Sequence, residues 1–200
     1  MVATEVRSAA PVYASLARRL AAFGVDYGVI AAYMAVLALV AMALGAGDGR
    51  WDRAFAHPVG GQAVSFLVLT LPVIVYFALF ESAALQATPG KRLLRIRVAA
   101  AGAVRLPRHR AFARAALKFL PWEISHGALR HTPGWPDDVE AVPAAVWLVF
   151  GLAWLLAGAY VALPLFDARG RTPYDRLAGS LVIVDGPVGA DSSRRTSASP

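Results

Sequence analysis

Three long apolar blocks constrain this chain more than any other feature of it. Leu20–Gly47 contains one charged residue, Asp26, and Ala63–Gln86 contains one, Glu81. Val142–Phe166 contains none over 25 residues. A helix that crosses the hydrocarbon core of a bilayer needs about 20 apolar residues. With 200 residues in all, the polar chain left over is too short to wrap a water-soluble core around three such blocks. Composition agrees: 58% of residues are hydrophobic and 16% charged, where soluble domains carry roughly 25% charged residues. The first block is too long for the apolar region of a secretory signal and is expected to stay in the mature protein.

Charge placement sets the expected topology. The net charge is +7, but the basic residues crowd beside the apolar blocks, where they anchor helices and set orientation, so no nucleic-acid partner is expected. Residues 87–110 carry Lys91, Arg92, Arg95, Arg97, Arg105, Arg108 and Arg110 and no acid, whereas the 48–62 loop is neutral. The positive-inside rule places the first of these in the cytoplasm and the second outside. Three crossings would strand Arg169, Arg171 and Arg176 outside. A fourth crossing at about 111–129 corrects this and puts the acidic 130–141 stretch outside. Lys118, Glu123 and His126 interrupt that segment, so it crosses only if they face other helices or water. The alternative is an amphipathic helix on the inner surface.

The expected fold is therefore an all-α membrane bundle of about four helices, near 19–46, 62–87, 111–129 and 142–166, with a small cytoplasmic β-hairpin or sheet. Leu93–Val98 alternates with period two, and Val104-Arg105-Leu106 follows a small turn, which predicts a hairpin. Ser180–Val184 is a β-branched run that could join it. Residues 1–12 are expected to be a cytoplasmic lead-in, 13–187 the membrane domain and 188–200 a disordered tail.

Asp26 sits within the first apolar block, where an unpaired carboxylate costs on the order of 2.5–3.5 kcal/mol. It is either an ion or proton site or the structural partner of a cation. Arg19 lies seven residues earlier on the same face, about 10.5 Å away along the axis, so a closer cation, Lys118 or Arg176, is expected to face Asp26. Gly24 and Gly28 form a GxxxG pattern that predicts a helix–helix contact. Glu81, Lys118, Glu123, His126 and Asp175 complete a candidate polar site, either for ions and protons or purely structural. Lys91, Arg92, Arg95 and Arg97 are expected at the lipid headgroups, the Lys91-Arg92 pair meeting headgroups or buried acids. Gly90-Lys91-Arg92 is not a phosphate loop, since the rest of that motif is missing. Asp167, Arg169, Arg171, Asp175 and Arg176 alternate in sign, either as a salt-bridge cluster or as a solvated junction. With no cysteine and no histidine pair at helical metal spacing, neither a metal nor a cofactor is expected. No nucleophile–base pattern points to an enzyme.

These motifs resemble the RDD family of bacterial membrane proteins. The matching stretches are Arg18-Arg19-Leu20-Ala21-Ala22-Phe23 with Asp26, then Glu81-Ser82 leading to Thr88-Pro89-Gly90-Lys91-Arg92-Leu93-Leu94-Arg95-Ile96-Arg97-Val98, and last Arg171-Thr172-Pro173-Tyr174-Asp175-Arg176-Leu177-Ala178-Gly179-Ser180-Leu181-Val182. The resemblance makes Arg19, Asp26 and Asp175 the arginine and two aspartates of the family's name. Tyr174 and Ser180 stand where the pattern commonly has His and Thr. The resemblance implies a helical membrane domain and raises ligand transport, or cation/proton antiport, as activities. Two classes stay open: transport of a small cation or proton, and a non-transporting scaffold, lipid-interacting or assembly protein. The expected setting is the inner (plasma) membrane with both termini cytoplasmic. The expected partners are the lipid bilayer, further copies of the chain or other membrane proteins.

Overall fold

The computed structural model describes residues 11–45, 58–135, 139 and 141–185. The expectations for the first ten residues, most of the 48–62 loop, Asp137, Asp138 and Glu140, and the 188–200 tail lie outside the described residues. Helix α1 (Leu16–Ala43) begins at Ser15, whose hydroxyl accepts the Arg18 N–H, a standard N-cap. Helix α2 (Pro58–Ser65) continues through a π-helical turn (Phe66–Thr70) into α3 (Leu71–Ser82). The short α4 (Pro89–Leu93) leads to strand β1 (Ile96–Ala100). Helix α5 (Arg108–Arg130) is followed by α6 (Ala144–Ala162) and a 3₁₀ turn (Leu163–Phe166). Helix α7 (Pro173–Ala178) and strand β2 (Ser180–Val184) complete the fold.

Among the described residues, three stretches are long and apolar enough to cross a membrane: Leu16–Ala43, Val59–Ser82 and Ala144–Phe166. Only 6% of the α1 window and 11% of the last are buried within the protein, so most of their apolar surface faces outward. Helix α5 is too polar to qualify, yet its 23 residues span about 34 Å at 1.5 Å per residue. It packs along both α3 and α6 and forms the centre of the bundle.

Two prolines in these helices free a carbonyl each, and a tyrosine covers each one. Pro121 lies inside α5 and has no N–H for the carbonyl four residues back. That carbonyl, Leu117 O, accepts the Tyr160 hydroxyl at 2.7 Å. Pro72 opens α3 immediately after the π-helical turn, and Val68 O accepts the Tyr33 hydroxyl at 2.6 Å. An open carbonyl in hydrocarbon would cost several kcal/mol, so each tyrosine both satisfies the backbone and ties two helices together.

The sheet differs from the expected hairpin. Leu93 closes α4, and the strand begins only at Ile96. β1 pairs antiparallel with β2, from Ile96↔Val184 to Ala100↔Ser180. The expected hairpin arm is reduced to an isolated bridge, Ala99↔Arg105, with the Ala100 N–H on Val104 O at 2.9 Å. The β-branched tail run offers a longer partner than the three residues before Pro107, which ends the arm. The incoming chain lies along the free edge of β2, with the Val184 N–H on Val12 O at 2.8 Å and the Ala14 N–H on Val182 O at 3.0 Å. Phe77, Ile96, Val98, Leu106, Ala111 and Val182 form the core that joins the sheet to α3 and α5.

Candidate functional site: a buried charge chain and two neighbouring cavities

Two short helices start in the same way. Thr88 caps α4 and Thr172 caps α7, each followed by a proline in the first turn. Each helix presents its third residue, Lys91 or Asp175, to the protein interior, and both residues are buried. The α7 start is a full capping box, in which the Thr172 hydroxyl accepts the Asp175 N–H and the Asp175 carboxylate accepts the Thr172 N–H.

From these two positions an alternating chain of charges runs through the protein. Asp26 Oδ2 lies 3.9 Å from Lys91 Nζ. Lys91 Nζ lies 2.9 Å from Glu81 Oε1, an ion contact outside hydrogen-bond geometry. Arg114 then bridges Glu81 at 2.6 Å and Asp175 at 2.7 Å. Asp175 also meets Arg19 Nη1 at 3.1 Å. The chain holds three carboxylates and three cations, drawn from α1, α3, α4, α5 and α7. Asp26 gains further donors in the Thr88 hydroxyl at 2.5 Å, the Gly90 N–H at 2.8 Å and the Tyr76 hydroxyl at 3.1 Å. Gly90 is a requirement of this contact, because a Cβ there would lie 2.1 Å from Ala22 O.

At the sheet end, burial alone would raise the Asp175 carboxyl. The Arg114 and Arg19 guanidiniums outweigh it and hold that carboxyl below the ordinary aspartate value. Burial, and then the Asp175 charge, push the Tyr174 phenol up to about 12. The Arg114 guanidinium sits over the Tyr174 ring at 5.2 Å. Outside this interior, the exposed rim does form a cluster: Asp167 pairs with Arg171 at 3.0 Å and with Arg176 at 2.8 Å. The hydrogen bond from Arg171 leads in holding the Asp167 carboxyl well below its usual range.

The structure thus brings Arg19, Asp26, Glu81 and Asp175 together, through Lys91 and Arg114. The cation nearest Asp26 is Lys91, neither Lys118 nor Arg176, because the turn after α3 folds α4 back against α1. Lys91 is accordingly not a headgroup residue. Arg92 and Arg95 are exposed, while Arg97 donates to Gln86 Oε1 at 2.6 Å and pairs with Asp185 at 3.6 Å. The GxxxG face is also corrected. Ala22 and Asp26 are the buried residues of α1, and Gly24 and Gly28 each follow one of them by two residues. Two residues are a rotation of about 200° on a helix, so both glycines face away, with nothing within 4 Å of their virtual Cβ positions. Glu123 belongs to a separate cluster: it accepts the Thr70 hydroxyl at 2.6 Å and a short hydrogen bond from Gln62. His126 stacks on Trp122, ring centres 4.3 Å apart, with Nδ1 3.1 Å from Trp122 O.

Sequence reasoning missed Arg114, the hub of the chain. It sits just past the run Arg105, Arg108, Arg110 and reads as one more basic anchor. Its spacing of four from Lys118, which puts both on one face of α5, was the available signal.

Lys118 is outside the ion-pair chain. No described acid lies within ion-pair distance of it, and its ammonium rests against aromatic faces, 3.5 Å from the Phe77 ring centre and 4.3 Å from that of Phe23. It also stands between two cavities. One, of about 500 Å³, is lined mainly by apolar residues of α1, the π-helical turn, α3, α5 and α6. The other, of about 170 Å³, is lined by Arg19, Lys91, Arg114 and Lys118 together with apolar and hydroxyl side chains, and by no carboxylate. Phe23, Lys118 and Tyr160 line both.

Fold and site together define a helical membrane protein with a small two-stranded antiparallel sheet and a buried, alternating charge chain between the helices and the sheet. The chain belongs to the RDD family, whose model matches residues 13–179. No curated protein and no solved structure matches it.

Proposed function

We propose that this RDD-family protein is a lipid-interacting membrane protein that holds a lipidic ligand between its helices. The observation behind this reading is the cavity of about 500 Å³ between the long apolar helices, within the roughly 300–1,000 Å³ range of small-molecule sites, with the Lys118 ammonium at its sheet end. We further propose that α5 crosses the bilayer and that the protein sits in the plasma membrane with the sheet and both termini cytoplasmic, as the basic 87–110 stretch favours. A reporter fused at Trp135 then reads outside and one at Pro200 reads inside.

The test of ligand holding is native mass spectrometry of protein released from phosphatidylcholine nanodiscs. A lipid adduct that survives release, and that Ala157→Phe in the cavity wall removes, is the expected result. No retained adduct of any kind overturns the reading. Cation or proton transport is the second reading, favoured by the unbroken run of ionisable groups from Asp26 to Arg19. Against it, each of the three carboxylates already has a cation within 4 Å, which leaves little attraction for an incoming cation. Cation-dependent proton flux in vesicles with an internal pH dye would establish this second reading instead.

A further inference from the structure

We infer that the ligand is a single-chain amphiphile whose head carries one negative charge, with the head in the basic cavity beside Lys118 and the tail in the apolar cavity. The inference rests on the lipid-holding reading and adds the chemistry of the head. Charge balance carries it. The six groups from Asp26 to Arg19 neutralise one another, so the small cavity, whose lining adds Lys118 and no carboxylate, carries one positive charge in excess.

Aromatic faces alone do not compensate an ammonium held among apolar side chains. Cation–π contacts contribute about 2 kcal/mol or more when desolvated, against several kcal/mol for taking an ammonium out of water. A monoanion at this point supplies the missing partner. The neighbouring cations cannot take that role as fully, because their donors are engaged. Arg114 is committed to Glu81, Asp175 and Ser180. Arg19 is committed to Asp175 and to the carbonyls of Ala14 and Val182. Lys91 is committed to Glu81 and Thr88. They give the small cavity a positive field, while Lys118 gives it free N–H donors. A cavity of about 170 Å³ admits a compact head, and Phe23 and Tyr160, which line the larger cavity as well, would give the attached chain apolar walls on leaving it. A free inorganic anion would fill the small cavity and leave the large one without an occupant.

The experiment uses the full chain in phosphatidylcholine nanodiscs holding matched mole fractions of myristate or tetradecanol, with bound ligand counted by native mass spectrometry. Myristate is expected to bind at least about tenfold more tightly than tetradecanol, as a single close charge pair allows. Acetate in excess is expected to leave myristate in place. Lys118→Met keeps the chain length and the aromatic contacts but loses the charge. It should erase the preference, so that myristate binds no more tightly than tetradecanol. Lys118→Arg should retain the preference, which separates loss of charge from loss of fold. Equal binding of myristate and tetradecanol by the unaltered protein overturns the charged-head inference and leaves lipid holding intact. Displacement of myristate by acetate would make the site one for a free anion and also overturn the inference. Failure of both chains to bind removes the lipid-holding reading itself.

Discussion

The hub position of Arg114 gives a sharp prediction for the charge chain. Arg114→Gln leaves Glu81 with Lys91, and Asp175 with Arg19, so the chain acquires one uncompensated negative charge. Removing one member of a buried pair costs about 3–5 kcal/mol. Glu81→Gln alone has the converse effect, leaving Lys91 and Arg114 to share Asp26 and Asp175. The double variant behaves differently. With Glu81 and Arg114 both replaced by glutamine, the remaining charges form two balanced pairs, Asp26–Lys91 at 3.9 Å and Asp175–Arg19 at 3.1 Å. The double variant should therefore lose less stability than the two single losses added together. The expected coupling is about 2–3 kcal/mol, at the upper end for groups in direct contact. Unfolding midpoints in mixed micelles, followed by tryptophan fluorescence, measure all three variants against the parent. Losses that add to within about 0.5 kcal/mol would show that Glu81 and Arg114 act independently, and the chain would then be only a set of separate contacts.

Other perturbations test the neighbouring parts. Gly90→Ala drives a Cβ into Ala22 O and should cost at least the roughly 1–3 kcal/mol of overpacking, whereas Gly28→Ala meets open space and should leave the unfolding midpoint unchanged or higher. Tyr33→Phe and Tyr160→Phe each uncover a proline-freed carbonyl and should each cost about 1–3 kcal/mol, with Tyr27→Phe as the neutral control in the same assay. Asp175 has a lowered folded-state value, so its contribution to stability is fully present above the ordinary aspartate pKa of about 3.9 and is lost as pH falls through the lowered value. Acid unfolding monitored by tryptophan fluorescence should therefore begin below about pH 4, and Asp175→Asn should remove part of that acid dependence. A transition near neutral pH that Asp175→Asn abolishes would contradict the assigned direction.

Local patterns and distant partners divide what could be read from the chain. Each apolar block is its own signal: the run from Leu20 to Gly47 demands a lipid-covered helix wherever the rest of the chain goes, because block length and hydration cost are local quantities. Helix caps are local too, yet neither short helix, α4 after Thr88 or α7 after Thr172, was expected from the sequence. The need of Asp26 for a partner was legible, since an apolar neighbourhood penalises an unpaired carboxylate. The identity of that partner was not. Ion pairing falls steeply with distance, and distances between residues far apart in sequence are set only when helices pack: Arg19 and Asp175 are separated by 156 positions and meet at 3.1 Å. Tertiary packing likewise chose β2 over the nearby hairpin arm as the partner of β1 and turned Gly24 and Gly28 away from the interior. It also made Arg114 the hub of the charge chain and left Lys118 in the walls of two cavities. Those cavities exist only as the space between packed elements, the larger among α1, α3, α5 and α6 and the smaller among α1, α4, α5, α6, α7 and the two strands, a property that no single stretch of sequence carries.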